Sequence, residues 1–300
     1  MVLPNFLIFG VQKAGTTSVY SYLQQHPQVF MSPRKETEFL GRDPAQIDSS
    51  SDKPLLTPGG RAQIVTLEAY KALFEGVTNE VAIGEASPNY LFRHERAVPA
   101  IQKYVPKAKL VAILRNPVER AYSDYLMHVR QVVGNQKPLA EQIETSAESS
   151  FTLLKGRYFA GMKHFLETFG PQQVKVFLYE DLKGDAPGLM RDLYRFIGVD
   201  PEFAVDTGQR QQTAAVPKNQ SVNRLLRTDN PVRSAVGTLL RTVMPEEKRQ
   251  ALRSRLIAAN SAGKEAMPLS DQDCQRLKAY YREDVLKLQD LINRDLSAWL

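Results

Sequence analysis

A single cysteine, Cys274, is all the thiol chemistry this 300-residue chain possesses. That excludes an internal disulfide framework and any cysteine-based zinc site, and a reducing, cytoplasmic compartment is the expected home. Long apolar runs are missing as well: none approaches the roughly 18–20 residues needed to span a bilayer. The first ten residues are apolar apart from Asn5, but they lack a basic lead-in and run straight into a glycine loop, as a buried strand does and a secretory leader does not. Internal repeats, low-complexity tracts and a recognisable linker are also absent. No zinc-finger spacing or aromatic-interleaved basic motif occurs, so nucleic acid is not an expected partner.

What is present is a soluble-type composition with a moderate positive balance, formally +6. Part of the excess is local. Lys218, Arg224, Arg227, Arg233, Arg241, Lys248, Arg249, Arg253 and Arg255 face only Asp229, Glu246 and Glu247 over the same stretch. Solvated helical faces account for such a run, and so does an anionic substrate or an acidic partner surface.

Short apolar runs alternate with helical patterns, the signature of parallel strands joined by helical crossovers. Strands are expected at 5–9, 81–84, 110–114 and 174–179. Helices are expected at 16–25, 67–74, 97–104, 118–130, 158–169, 187–197 and 271–292, the last closing a helical C-terminal section from about 232. Residues 41–66, rich in Ser, Asp, Pro and Gly, read as a surface excursion, and 200–231 lack clear periodicity. The expected architecture is one α/β domain over residues 1–300: a P-loop-like three-layer fold, its mostly parallel central sheet flanked by helices.

The sharpest signal is Phe6-Leu-Ile-Phe-Gly10-Val-Gln-Lys13-Ala-Gly15-Thr16-Thr17, a strand, a glycine loop and a helix start. Gly10 and Gly15 are spaced as in a nucleotide-binding P-loop, whose backbone N–H groups wrap a phosphate at the helix N-terminus. The lysine, however, does not follow the second glycine. Thr16 occupies that slot, and the lysine stands two residues earlier, at Lys13. An NTPase neutralises a triphosphate with lysine plus metal; a singly charged sulfuryl group asks less, and lysine with backbone donors suffices.

A second cluster, Leu110-Val-Ala-Ile-Leu-Arg115-Asn-Pro-Val-Glu-Arg120-Ala-Tyr-Ser123, repeats the strand–turn–helix pattern. Arg115 falls at a strand's carboxyl end, where open α/β sheets bind ligands, and its planar fork suits phosphate oxygens. Asn116 and Pro117 suit a helix cap and first turn. Ser123 follows two turns later with a hydroxyl donor.

With these residues the chain resembles the PAPS-dependent sulfotransferase family, whose donor is 3′-phosphoadenosine 5′-phosphosulfate. Gly10–Thr17 is similar to its 5′-phosphosulfate loop, and Arg115 to Ser123 to its 3′-phosphate segment. The segments Pro33–Leu40, Gly84–Leu91 and Val176–Leu182 add to the likeness, which covers residues 5–200 well and leans toward bacterial and carbohydrate-type members and the sulfotransferase domains of polyketide assembly lines.

The resemblance implies a sulfotransferase in which Lys13 contacts the bridging oxygen and 5′-phosphate. Gln12, Ala14, Gly15, Thr16 and Thr17 would supply backbone and hydroxyl donors, and Arg115 and Ser123 would bind the 3′-phosphate. Glu36 matches the catalytic-base position; Glu38 and His128 stay open as alternatives. No metal is required on this reading. The product is adenosine 3′,5′-bisphosphate, and the acceptor is a hydroxyl on a sugar, a small metabolite or an acyl chain carried by an acidic carrier protein.

Two departures matter. Carbohydrate enzymes often carry lysine after the glutamate at Glu85, where this chain has Ala86, and the C-terminal glycine-rich arginine–lysine motif of the cytosolic enzymes is absent, with Lys218–Arg224 as the segment to fill part of its role. A P-loop nucleotide kinase and a non-catalytic nucleotide-binding protein of the same fold are the rival readings.

Overall fold

The structure, a computed structural model, describes residues 2–48, 63–208, 215–227, 244–263 and 266–300. Its described chain divides into two compact units. One comprises Met1–Arg120, Arg157–Gln211 and Tyr281–Leu300, the other Ala121–Gly156 and Gln212–Tyr280.

The first unit is built on five strands, β1 (Phe6–Gly10), β2 (Val29–Met31), β3 (Ala82–Ala86), β4 (Lys109–Leu114) and β5 (Val174–Leu178), in the order β2-β3-β1-β4-β5. Every neighbouring pair is parallel. Strands covered on both faces read as continuous apolar runs, and β1 is buried from end to end. Each such Leu, Ile or Phe side chain contributes roughly 1.5–3 kcal/mol when fully buried. Phe9 of β1 stacks on Phe165 of the helix Phe159–Phe169, ring centroids 4.1 Å apart. Gly84 of β3 permits the tightest crossing: a Cβ there would lie 2.2 Å from Phe6 Cζ and 2.6 Å from Met31 Sδ, so only glycine fits.

The chain leaves β1 for β2 and β3 on one side, then returns past β1 to β4 and β5 on the other. That reversal makes the carboxyl end of β1 a topological switch point, where open α/β sheets form ligand crevices. The helix α1 (Thr16–Leu23) follows β1 directly. Pro117–Gln131 follows β4, with Asn116 Oδ1 accepting from Val118 N–H at 3.0 Å, the cap read from the sequence.

The second unit holds most of that helix, the helices Leu139–Ser146, Gln220–Arg227 and Glu246–Ala259, and a two-stranded antiparallel ribbon, Ala215–Pro217 with Ser261–Gly263. Here the segment Lys218–Arg224 is a ribbon end and a helix start. Its buried Asn223 donates to the carbonyls of Val129 and Arg130, the last turn of Pro117–Gln131, at 3.2 and 3.0 Å. Residues 49–62 of the expected surface excursion, and 232–243 at the start of the C-terminal section, lie outside the described residues. Among the described residues no helix is long and apolar enough to cross a membrane.

Candidate active site

Three chain segments meet at the carboxyl edge of the sheet. In the centre, Val11 to Gly15 leads from β1 into α1. Its turn is tight: Lys13 adopts φ 76° and Gly15 φ 80°. Gly15 is confined as well, since a Cβ there would lie 2.5 Å from Leu182 Cδ2 and 3.2 Å from Tyr179 Cε2. Left-handed φ and a blocked Cβ direction together require glycine. Because Gly15 caps α1 without a side chain, the first-turn N–H groups of Thr16 and Thr17 have no intrahelical acceptor and point out of the helix end. Gln12, Lys13 and Thr17 are half-buried, and Ala14 and Thr16 are buried.

Arg115 stands on the β4 side of this loop. Its Nη1 donates to the Lys13 carbonyl at 2.9 Å, and its guanidinium lies 4.6 Å from the Tyr179 ring centre. Tyr158 Oη donates to the Arg115 carbonyl at 2.9 Å, fixing the backbone from below; burial pushes that phenol far above the usual tyrosine range, so it keeps its proton. The outward edge of the guanidinium pairs with Glu119 at 2.8 Å. Glu119 is 55% exposed, whereas Arg115 is only 16% exposed. Ser123 lies half-buried on the same helix but in the second unit.

On the β3 side runs the segment 32–40. Ser32 N–H donates to Gly84 O and Glu36 N–H to Ala86 O, both at 2.8 Å, extending the β2–β3 edge. Glu36 and Glu38 both take positive φ, 60° and 57°. Their carboxylates differ. Glu36 is 39% exposed and pairs with Lys35 at 2.6 Å. Glu38 is more enclosed and accepts from Asn89 Nδ2 at 3.0 Å while pairing with Arg93 at 3.1 Å. Burial raises its pKa, with Arg93 and Asn89 pulling the other way. His128 lies in the second unit, where its ring contacts Thr152 Oγ1 at 3.3 Å and faces Gly134.

Beneath the 36–40 segment is a group whose role is not evident from sequence. Glu85, on β3, is fully buried. Its Oε1 accepts from Thr37 Oγ1 and Ser87 Oγ at 2.5 Å each and from Tyr90 Oη at 2.8 Å; its Oε2 accepts from Tyr70 Oη at 2.5 Å. Burial first, and the Glu85 charge second, push both tyrosine hydroxyls well above their ordinary range, so they remain donors. Hydrogen bonds to a charged acceptor contribute about 1.5–3 kcal/mol each, and four of them offset much of the cost of burying the carboxylate. An acid inside a buried five-residue strand was the signal available in the sequence. A cavity of about 650 Å³ lined by Lys175, Asp185, Arg191 and Arg195 contains none of the predicted site residues.

The lysine, helix N–H groups and arginine on one side of this edge suit an anionic ligand, while the carboxylates of Glu36 and Glu38 stand on the other flank of β1. Comparison with known proteins agrees. The sequence model of the sulfotransferase family matches residues 4–203. A sulfotransferase structure from Alicyclobacillus acidocaldarius superposes with TM-score 0.70 at 28% identity, covering 100% of this chain and 99% of that one. The bifunctional heparan sulfate N-deacetylase/N-sulfotransferase 1 of Caenorhabditis briggsae is 29% identical over 68% of this chain, and the human enzyme 3 of that name 28% over 67%. This chain spans about a quarter of the length of those curated relatives, 24% and 23%. With the family model matched over two thirds of the sequence, the chain belongs to the sulfotransferase family, enzymes that transfer a sulfuryl group.

Proposed function

We propose that the chain transfers the sulfuryl group of PAPS directly to an acceptor hydroxyl, giving a sulfate ester and adenosine 3′,5′-bisphosphate. One observation carries the reading: the Lys13 loop and Arg115 are tied together by a 2.9 Å hydrogen bond at the switch point, with the Glu36 segment on the opposite flank of β1. Two phosphates of one donor have cationic partners on the β1–β4 side, and a base stands across from them.

In this reading the loop N–H groups of Ala14 to Thr17, with the Gln12 and Thr17 side chains, bind the 5′-phosphosulfate. Lys13 stabilises charge that builds on the phosphate oxygen as its bond to sulfur breaks. Arg115 binds the 3′-phosphate, a role the family resemblance also gives to Ser123. Glu36 takes the proton of the acceptor hydroxyl as that oxygen bonds to sulfur, and positioning in line supplies much of the acceleration. No step calls on a metal ion. A cytoplasmic home is part of the proposal, supported by a lone cysteine that can form no internal disulfide. A carrier-bound hydroxyacyl acceptor would give the basic run from Lys218 to Arg255 a partner.

A panel incubated with ³⁵S-labelled PAPS tests the reading: a de-N-sulfated heparin oligosaccharide, other sugars, small alcohols and phenols, and a hydroxyacyl carrier protein. We expect label to move to at least one hydroxyl acceptor in step with adenosine 3′,5′-bisphosphate formation. Transfer only to the amino group of the heparin probe would replace the hydroxyl assignment, and PAPS binding without transfer to any acceptor would favour a binding protein.

A further inference from the structure

Three hydroxyls that donate to Glu85 each accept from a main-chain N–H of the base-bearing segment. Glu38 N–H donates to Ser87 Oγ at 3.1 Å, Phe39 N–H to Thr37 Oγ1 at 3.3 Å, and Leu40 N–H to Tyr90 Oη at 3.1 Å. Each hydroxyl has one proton, and it goes to the carboxylate. A single buried acid thus gathers three consecutive backbone N–H groups through three relays. The fourth donor, Tyr70, reaches the other carboxylate oxygen from the helix Leu67–Ala72 and relays no N–H of this segment.

The segment needs such a clamp. Two residues with positive φ, Glu36 and Glu38, flank Thr37, and non-glycine residues persist in that region only when their surroundings over-determine them. Released, the turn would relax and swing both carboxylates off the sheet edge. We propose that Glu85 is a positioning residue for sulfuryl transfer: through Ser87, Thr37 and Tyr90 it fixes residues 38–40, and with them the geometry of the catalytic base. The inference rests on the reading that the base lies on this segment. It also gives the Gly84–Tyr90 stretch a function that needs no lysine at Ala86.

The test contrasts two isosteric lesions of the same carboxylate. Tyr90→Phe and Tyr70→Phe each remove one hydroxyl from Glu85, but only the first frees a loop N–H. Assayed with the best acceptor of the panel, Tyr90→Phe should lower kcat about tenfold, in keeping with a small misplacement of a reacting group. Its adenosine 3′,5′-bisphosphate affinity should stay within about twofold, and amide exchange at 38–40 should quicken. Tyr70→Phe should lose thermal stability yet keep kcat within about twofold. Glu85→Gln should follow Tyr90→Phe.

Combined with Glu36→Gln, Tyr90→Phe should cost residual transfer nothing further, because it acts through that carboxylate. If Glu36→Gln itself retains transfer, the base assignment fails; the Tyr90-against-Tyr70 contrast would then persist and become non-additive with Glu38→Gln. Equal kcat losses in the two tyrosine variants, an unchanged kcat in Tyr90→Phe, or losses that multiply with both glutamate variants would overturn the positioning role.

Discussion

Lys13→Ala is expected to lower kcat for sulfuryl transfer by about 10²–10³, the equivalent of roughly 2.7–4 kcal/mol of transition-state stabilisation. The lysine belongs to the turn itself, at φ 76° between β1 and α1, and its carbonyl is pinned by Arg115. Alanine tolerates that φ no better and no worse than lysine, so the substitution removes the ammonium while leaving the backbone demand in place. Lys13→Gly separates the two effects: it relieves the left-handed strain and should still lose the rate. The measurement is steady-state transfer at saturating acceptor, with product affinity taken alongside. PAPS affinity should fall far less than kcat, because the charge that Lys13 meets develops only as the sulfur–oxygen bond breaks; adenosine 3′,5′-bisphosphate, whose 5′-phosphate already carries that charge, should bind markedly more weakly. A kcat within about threefold of wild type would remove Lys13 from the chemistry.

Glu36→Gln should leave donor binding intact and reduce transfer by about 10²–10⁴, the usual contribution of a positioned general base. The side chain is the more open of two neighbouring acids and bonds Lys35 at 2.6 Å, an arrangement that leaves the carboxylate able to turn toward an acceptor. Glu38 is bound to Asn89 and Arg93 and is more enclosed. Its replacement by glutamine should therefore act mainly on stability, by breaking a partly buried charge pair, with a smaller loss of rate. Reversal of that order, with Glu38→Gln abolishing transfer and Glu36→Gln tolerated, would move the base two residues along the loop.

The sheet and its two anion-ready strand ends were legible because their signals are local. A glycine pair at P-loop spacing, a displaced lysine, and an arginine followed by Asn-Pro each specify backbone shape or charge within a few residues. Asn116 caps the helix Pro117–Gln131 as read, and Asp271–Ile292 matches residue for residue. Strand β2, Val29–Met31, was missed: three residues are too short to show a period. The helix Tyr179–Gly184 was also missed; the expected strand ran one residue too far, into Tyr179, because an aromatic residue continues an apolar run equally well in either state.

Glu85 lies in the family-like segment Gly84–Leu91, where sequence alone gives it no role. Its meaning depends on Thr37, Tyr70, Ser87 and Tyr90, up to 48 residues away in sequence, and only the fold brings them together. The kinase reading was weakened by the lysine's displacement alone, and family membership now sets it aside.

The central claim is a donor site that reads two phosphates of one nucleotide, with Lys13 and its loop at one and Arg115 at the other. Isothermal titration calorimetry of the intact chain with adenosine 3′,5′-bisphosphate, in EDTA and again in magnesium, tests it most directly. The account predicts tight binding unchanged by the metal, weakened at least tenfold in Arg115→Ala and for adenosine 5′-monophosphate, which lacks the 3′-phosphate. Equal affinity for the two nucleotides, or binding that appears only with magnesium, would contradict it.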